Sequence, residues 1–272
     1  MKHISNIWKT SVLLFAALTF AFVSCSSSDD DNDSEDSVDK TAIANRIVQN
    51  MVKVDGGTFT MGYDSYVVDG VEHKAHSYDA MHQVTLSSYY ICKYPVTQKE
   101  YEAIMGTNPS KWVGENIPVN KVTWAECQNF ISALNKLTNH TFRLPTEAEW
   151  EFAARGGNRS QNYTFAGSNN INEVAWYLDN SDSTLHAVGL KKPNELGIYD
   201  MTGNVCEWCN DWANNYPEEA VTNPTGPTTG NYRILRGGSY CWETYLCAVY
   251  YRHWEDPAIR YNNIGFRLAF TQ

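Results

Sequence analysis

Apolar positions recur at three- to four-residue intervals in three short windows. Each window opens with a threonine followed three residues later by a glutamate: Thr97 and Glu100, Thr123 and Glu126, Thr146 and Glu149. That pairing is a capping box, in which the hydroxyl serves one free N–H of the first turn and the carboxylate serves another. The helix after Thr123 should turn Trp124, Cys127, Phe130, Ile131 and Leu134 inward. The one after Thr97 should stop at Gly106, and the one after Thr146 at Gly156-Gly157. In the third window Pro145 precedes the cap, where its missing N–H costs no helical bond. Trp150, Ala153 and Ala154 share a face there, and Glu151 pairs with Arg155 at i,i+4. Period-two alternation or β-rich composition marks strands at 59–61, 83–86, 89–91 and 265–270. Between these elements run long stretches rich in Gly, Asn, Ser and Pro, such as 156–172 and 217–230. Loops of that length in a compact domain are usually functional or pinned by something else. The pattern predicts two to three helices, several short strands and long loops between them.

The N-terminus follows another pattern. Lys2 and Lys9 precede an apolar run at 12–23 that is too short to span a bilayer and ends in Val23-Ser24-Cys25. This reads as an export signal, and its end resembles a bacterial lipobox. Residues 1–25 would then be the signal peptide, with Cys25 lipidated as the mature N-terminus. Residues 26–41 are mostly Ser, Asp, Asn and Glu and cannot bury apolar surface, so they should form an acidic, disordered tether. An acidic stretch after a lipidated cysteine resembles the signal that sends some lipoproteins to the outer face of the cell. The expected location is therefore the outer membrane, surface-facing, through a lipid anchor. Residues 42–272 remain as one domain, large enough for a full core.

Charge narrows the partners. The chain has 31 acids against 21 lysines and arginines. With the tether's seven acids and the leader's two lysines set aside, 24 acids and 19 bases remain, a net of −5. A mildly acidic domain without a basic run is a poor match for nucleic acid, so none is expected as a partner. Six cysteines follow Cys25: Cys92, Cys127, Cys206, Cys209, Cys241 and Cys247. An even number in an exported protein points to disulfides before metal. Cys206 and Cys209 have CxxC spacing, but no second pair or ordered histidines accompany them as a zinc site needs. Cys127, on an apolar helix face, reads as a small core residue.

Seven blocks stand in a particular order: MVKVDGGTFTMG, HQVTLSSYYICKYPVTQKEYEAIMG, IPVNKVTWAECQNFISALN, RLPTEAEWEFAARGG, KKPNELGIYDMTGNVCEW, RILRGGSY and NNIGFRLAF. In content and order they resemble the formylglycine-generating-enzyme, or sulfatase-modifying-factor, superfamily from about residue 51 to 270. The resemblance implies an irregular α+β fold of the C-type-lectin-like kind, with short strands, two to three helices and long pinned loops. It implies a calcium loop in which the side chains of Asp200 and Glu207 and the carbonyls of Gly203 and Val205 are ligands, a donor set suited to a hard cation. It also implies a disulfide between Cys209 and Cys247.

For activity the match is weaker, because many members of this superfamily are not formylglycine-generating enzymes. Those enzymes use copper and oxygen on two cysteines five positions apart. Cys241 and Cys247, with Ser239 retained nearby, invite that reading, since thiolates suit Cu(I). Here the spacing is six, the first cysteine directly follows Tyr240, and Ala248-Val249-Tyr250-Tyr251 replaces an arginine-containing segment. A tryptophan expected before Glu207 is Cys206.

The stretch 240–254 is the most unusual local composition in the chain, seven of its residues being Tyr, Trp or His. It resembles the variable region of lectin-fold proteins diversified by retroelements. Tyr240, Trp242, Glu243, Tyr245, Tyr250, Tyr251, His253 and Trp254 are the candidate ligand-binding residues, because flat amphipathic rings with a few polar partners are what binding faces use. About half of those rings should face inward. The sequence thus favours an exported, ligand-binding lipoprotein for a protein or carbohydrate. A copper-dependent oxidase maturing sulfatases is the alternative, and a structural or assembly lipoprotein a third possibility.

Overall fold

The computed structural model describes residues 32–271, and their side chains from residue 40 on except that of Ser77. Residues 1–31 lie outside that range, and with them the signal peptide, the Cys25 lipidation site and the first part of the tether. The elements in chain order are α1 (Asn32–Gln49), β1 (Met51–Val54), β2 (Gly57–Met61), β3 (Ser65–Val68), β4 (Val71–Lys74), β5 (His82–Leu86) and β6 (Tyr89–Cys92). There follow α2 (Gln98–Met105), α3 (Trp124–Asn135), α4 (Glu147–Ala154), α5 (Ile171–Val174), β7 (Cys206–Trp212), β8 (Val221–Thr222), β9 (Arg233–Arg236), β10 (Arg252–Glu255), β11 (Ile264–Gly265) and β12 (Ala269–Phe270).

Among the described residues the strands form four small sheets: β1-β6-β12, β10-β9-β7-β11, β2-β5-β8 and the β3-β4 hairpin. Most pairings are antiparallel, but β11 runs parallel to β7 and β8 parallel to β5. The single strand expected at 265–270 is divided between two sheets, β11 pairing β7 and β12 pairing β6. Each fragment then satisfies a different edge.

All three capping boxes form. Thr97, Thr123 and Thr146 accept from the N–H of Glu100, Glu126 and Glu149, whose carboxylates reach back to the cap. Gly106 ends α2 with φ +73. Cys127 is wholly buried on α3, as its position on the apolar face predicted.

Two expectations need correction. The tether was expected to run unstructured to residue 41, but α1 already begins at Asn32. Ile43, Ala44 and Ile47 anchor the far end of this helix in the core, beside Tyr101 and Ile104 of α2. The acidic sequence falls in the N-terminal half of α1, where the helix dipole favours negative charge. The second correction concerns α4, read as helix with one inward face. All eight of its residues are buried, three glutamates among them. Arginines supply the counter-charges: Arg252 pairs with Glu147, Arg143 with Glu149, and Arg155 and Arg236 with Glu151. An ion pair removed from water survives only with such close geometry and further hydrogen bonds. Gly62 N–H supplies one to Glu151, at 2.9 Å.

Candidate functional site

The segment 237–251 joins β9 to β10, which pair antiparallel with Arg236 opposite Arg252. Gly238, at φ +70, opens it. A Cβ there would stand 2.5 Å from Cys247 Sγ, so the absence of a side chain lets the loop fold onto its own cysteine. Ser239, Cys247, Ala248 and Val249 are wholly buried.

The loop sorts its rings into two populations. Tyr240 and Tyr250, named above as binding residues, belong to the core. Tyr240 meets Trp112 edge-on at 5.1 Å, beside Leu185 and Val205. Tyr250 packs on Tyr63 and Tyr66, at 5.2 and 4.7 Å between ring centres. Neither is free to meet a ligand face. Glu243 is exposed, and Trp242, Tyr245, Tyr251, His253 and Trp254 are half-buried.

Those five rings are linked through contacts to others that local sequence did not announce. Tyr66 stacks on His73 and His73 on Tyr245, the latter at 4.5 Å and 9°. Tyr245 meets Tyr251, Tyr251 meets Trp242, and Trp242 meets His253 at 5.1 Å. His253 then leads through Trp254 to Tyr78 and His76. The result is an unbroken belt of nine rings contributed by the β3-β4 hairpin, the turn before β5, and the C-terminal segment. Its upstream members carry no local signature, because only tertiary folding lays them against the later segment. Burial holds His253 below the ordinary histidine pKa, against the pull of Glu255.

The thiols do not match expectation. All six described cysteines are free, and the expected Cys209–Cys247 bridge is not formed. Both residues are wholly buried and pack in the larger core cluster as small apolar side chains. Burial pushes the Cys247 thiol up to about 12 and Cys209 well above its ordinary value. Cys241 is exposed, 3.5 Å from the Ser239 hydroxyl, which also accepts from Asn263. Cys206 is buried within electrostatic reach of Cys241 and Cys247. One accessible and one buried, strongly protonated thiol are a poor donor pair for Cu(I).

The loop 200–207 is tight. Asp200, Gly203 and Asn204 all have left-handed backbones, at φ +55, +73 and +57. Such crowding of unfavourable conformations marks a segment held by its surroundings. Asp200 is buried and accepts Gly189 N–H at 2.8 Å. Burial pushes its carboxyl up to about 6, opposed by that hydrogen bond and by Arg267, and aided by Glu207. Glu207 is gripped by Arg267 at 2.6 and 2.7 Å and by the Trp150 indole N–H at 2.7 Å. One lone pair of Glu207 Oε1 is left. Two carboxylates therefore share one guanidinium, and a cation drawing on both would balance the pair. Among the described residues no three His, Cys, Asp or Glu side chains come together as metal ligands. A site here would need the loop carbonyls as well, as calcium sites allow.

Comparison with known proteins agrees with this architecture. The chain is 35% identical over 244 residues to the Chaperone protein LppX of Paenibacillus barcinonensis, covering 71% of this chain and 79% of that one. It is 37% identical over 171 residues to the Formylglycine-generating enzyme of Streptomyces coelicolor, covering 57% of this chain and 52% of that protein. It thus spans about half the enzyme's length. Among solved structures, Treponema denticola variable protein 1 superposes with a TM-score of 0.74 at 31% identity, covering 82% of this chain and 95% of that one. Residues 38–272 match the Sulfatase-modifying factor enzyme 1-like domain, and with the fold, the capped helices and the loop order in agreement, the chain belongs to that family.

Proposed function

We propose that this protein is an exported lipoprotein whose formylglycine-generating-enzyme-like domain binds a protein or carbohydrate ligand through the aromatic belt and does not act as an oxidase. One observation carries the reading. Nine rings from three chain segments touch in sequence, and those of 242–254 are left half-exposed beside Glu243. Amphipathic rings fixed by their neighbours give contact area at small entropic cost, as binding faces require. Export and anchoring rest on the leader ending at Cys25 and the acidic stretch behind it. The test is substitution at the belt: Trp242→Ala and Tyr245→Ala, checked by melting for an intact fold, should abolish capture in a glycan-array and surface-protein screen. A screen in which these variants capture as wild type does would end the reading.

The oxidase alternative is kept by the similarity to formylglycine-generating enzymes and by Cys241 beside Ser239. In that reading copper would be held by Cys241 and Cys247 and would supply oxygen activation, Ser239 orienting the exposed thiol. Incubation with Cu(I), oxygen and a sulfatase-type cysteine peptide decides it. Aldehyde formation lost in Cys241→Ser and Cys247→Ser would establish the enzyme.

We also propose a structural calcium ion on Asp200, Glu207 and the carbonyls of Gly203 and Val205. The raised Asp200 carboxyl and the left-handed loop around it support this assignment.

A further inference from the structure

A cleft of about 540 Å³ opens between β7, the start of α4 and the loop 213–227, within the range of small-molecule sites. No role assigned above uses it. Two carboxylates reach it, Glu147 and Asp211, and they differ in what they have left to offer. Glu147 is fully engaged, by Arg252 at 2.8 and 2.7 Å and by the Tyr216 hydroxyl at 3.0 Å. Asp211 is 5% exposed; its Oδ2 accepts Glu147 N–H at 3.0 Å, and its Oδ1 accepts no hydrogen bond among the described residues. Gly226 keeps that oxygen reachable, since a Cβ there would stand 3.3 Å from Oδ1.

The remaining surroundings select the sign of the ligand. Arg252 is largely spent: besides its two bonds to Glu147 it donates to the carbonyls of Tyr78 and Asn214, which uses four of its five N–H groups. An anion entering the cleft would face the two carboxylates, Glu147 and Asp211, against one remaining Arg252 N–H and the His82 ring, so the lining favours a cation. The walls are apolar, with Met61, Pro217, Val221, Pro224 and Pro227, and suit an aliphatic stem. We propose that this cleft binds a primary alkylammonium group, its aliphatic stem along the proline-lined wall and its charge on Asp211 Oδ1. The ammonium supplies the donors that the bare oxygen lacks, and a buried charge paired in this way avoids the penalty of standing alone.

The groups facing Asp211 give the proposal a pH signature. Glu147 and Glu149 of α4 repel its negative form, and Arg252 of β10 and Arg233 of β9 attract it. Burial first, and Glu147 next, push its carboxyl up to about 8. Below that pH the carboxyl keeps its proton and offers little to a cation. Above roughly 10 an alkylammonium begins to lose its own. Affinity should therefore peak between the two.

The test is calorimetric titration of the full-length protein with n-butylammonium chloride. Saturable binding is expected at pH 8.5, at least tenfold weaker at pH 6 and at least tenfold weaker in Asp211→Asn, with none for n-butanol or butyrate. Gly226→Ala, which sets a methyl against the Asp211 side chain and over Oδ1 while leaving the carboxylate chemically intact, should weaken binding similarly, its melting curve reporting whether it folds. Cadaverine and Nα-acetyl-lysine N-methylamide distinguish a free amine from a lysine side chain, the tighter of the two naming the source. No saturable binding at pH 8.5, equal affinity for butanol, or undiminished affinity in a folded Asp211→Asn protein would overturn the proposal. If both variants fail to fold, the wild-type pH profile and the butanol comparison still decide. The Trp242→Ala protein should bind the amine unchanged, so failure here and failure of the belt reading are separable.

Discussion

Glu207 and Asp211 lie four residues apart on the same strand, β7, and both are removed from water. Glu207 receives a two-pronged arginine and an indole N–H, and Arg267 in turn donates to the carbonyls of Cys92 and Tyr199. Asp211 receives one backbone N–H. The first is a joint that ties β7, α4 and the C-terminal strands together. The second is a carboxyl held by burial close to its neutral form, with an oxygen facing a cleft. Burial is common to both, so partners decide whether a buried carboxylate serves the fold or remains available.

Several measurements would sharpen or break this contrast. The largest effect should come from Glu207→Ala, which leaves Arg267 charged and unpaired in the core. The expected loss is about 3–5 kcal/mol by urea unfolding, a large part of a typical domain's stability. Asp211→Asn keeps an acceptor for Glu147 N–H and should cost far less. If the two cost the same, the contrast is wrong.

The pH dependence of stability comes next. In the unfolded chain aspartates lose their protons near the ordinary value, whereas folding holds Asp79 to about 6 and Asp211 to about 8, burial being the leading cause in each. The folded state then binds more protons across that window, so stability should fall as pH rises from about 4 through 8. Glu147 acts oppositely. Burial opposes its charge, but Arg252 and Arg236 outweigh burial and hold it below the ordinary value, so its contribution is lost only in stronger acid. Melting curves from pH 5 to 9 should show the decline. Asp211→Asn should flatten its upper end, and an unchanged slope in that variant would count against the assignment.

Calcium should raise the melting temperature through binding to the native state alone. A concentration a hundredfold above the dissociation constant would contribute about 2.7 kcal/mol. Asp200→Ala should abolish the rise, and a chelator without effect on the purified wild type would remove the site. The smallest effect belongs to Thr146→Ala, which deletes the hydroxyl cap of α4 but leaves Asp211 on the neighbouring N–H. A loss of about 1 kcal/mol is expected.

Much of the scaffold was legible because it rests on local chemistry. A threonine and a glutamate three residues apart complete a capping box in any fold that contains a helix there, so α2, α3 and α4 begin where the pattern placed them. The strands at 59–61, 83–86 and 89–91 show themselves by composition and alternation, and β2, β5 and β6 contain them. The rings of 240–254 were legible as a cluster, though not as two populations. A tyrosine carries no local mark telling whether it will pack on Tyr63 or stand half in water.

By itself the sequence determined where helices start and stop, the order of the family's blocks, and which residue types were on hand for chemistry. Only the tertiary structure decided which charges meet. Nothing near Glu147 in sequence indicates Arg252, 105 residues away, or near Glu207 indicates Arg267, 60 residues away. It likewise decided that Cys209 and Cys247 stay free thiols, that His73 stacks on Tyr245, and that Gly226 leaves Asp211 open. The physical reason is range. Caps and strand alternation are settled within a few residues of backbone, whereas a buried charge or ring is settled by whatever the whole chain brings against it.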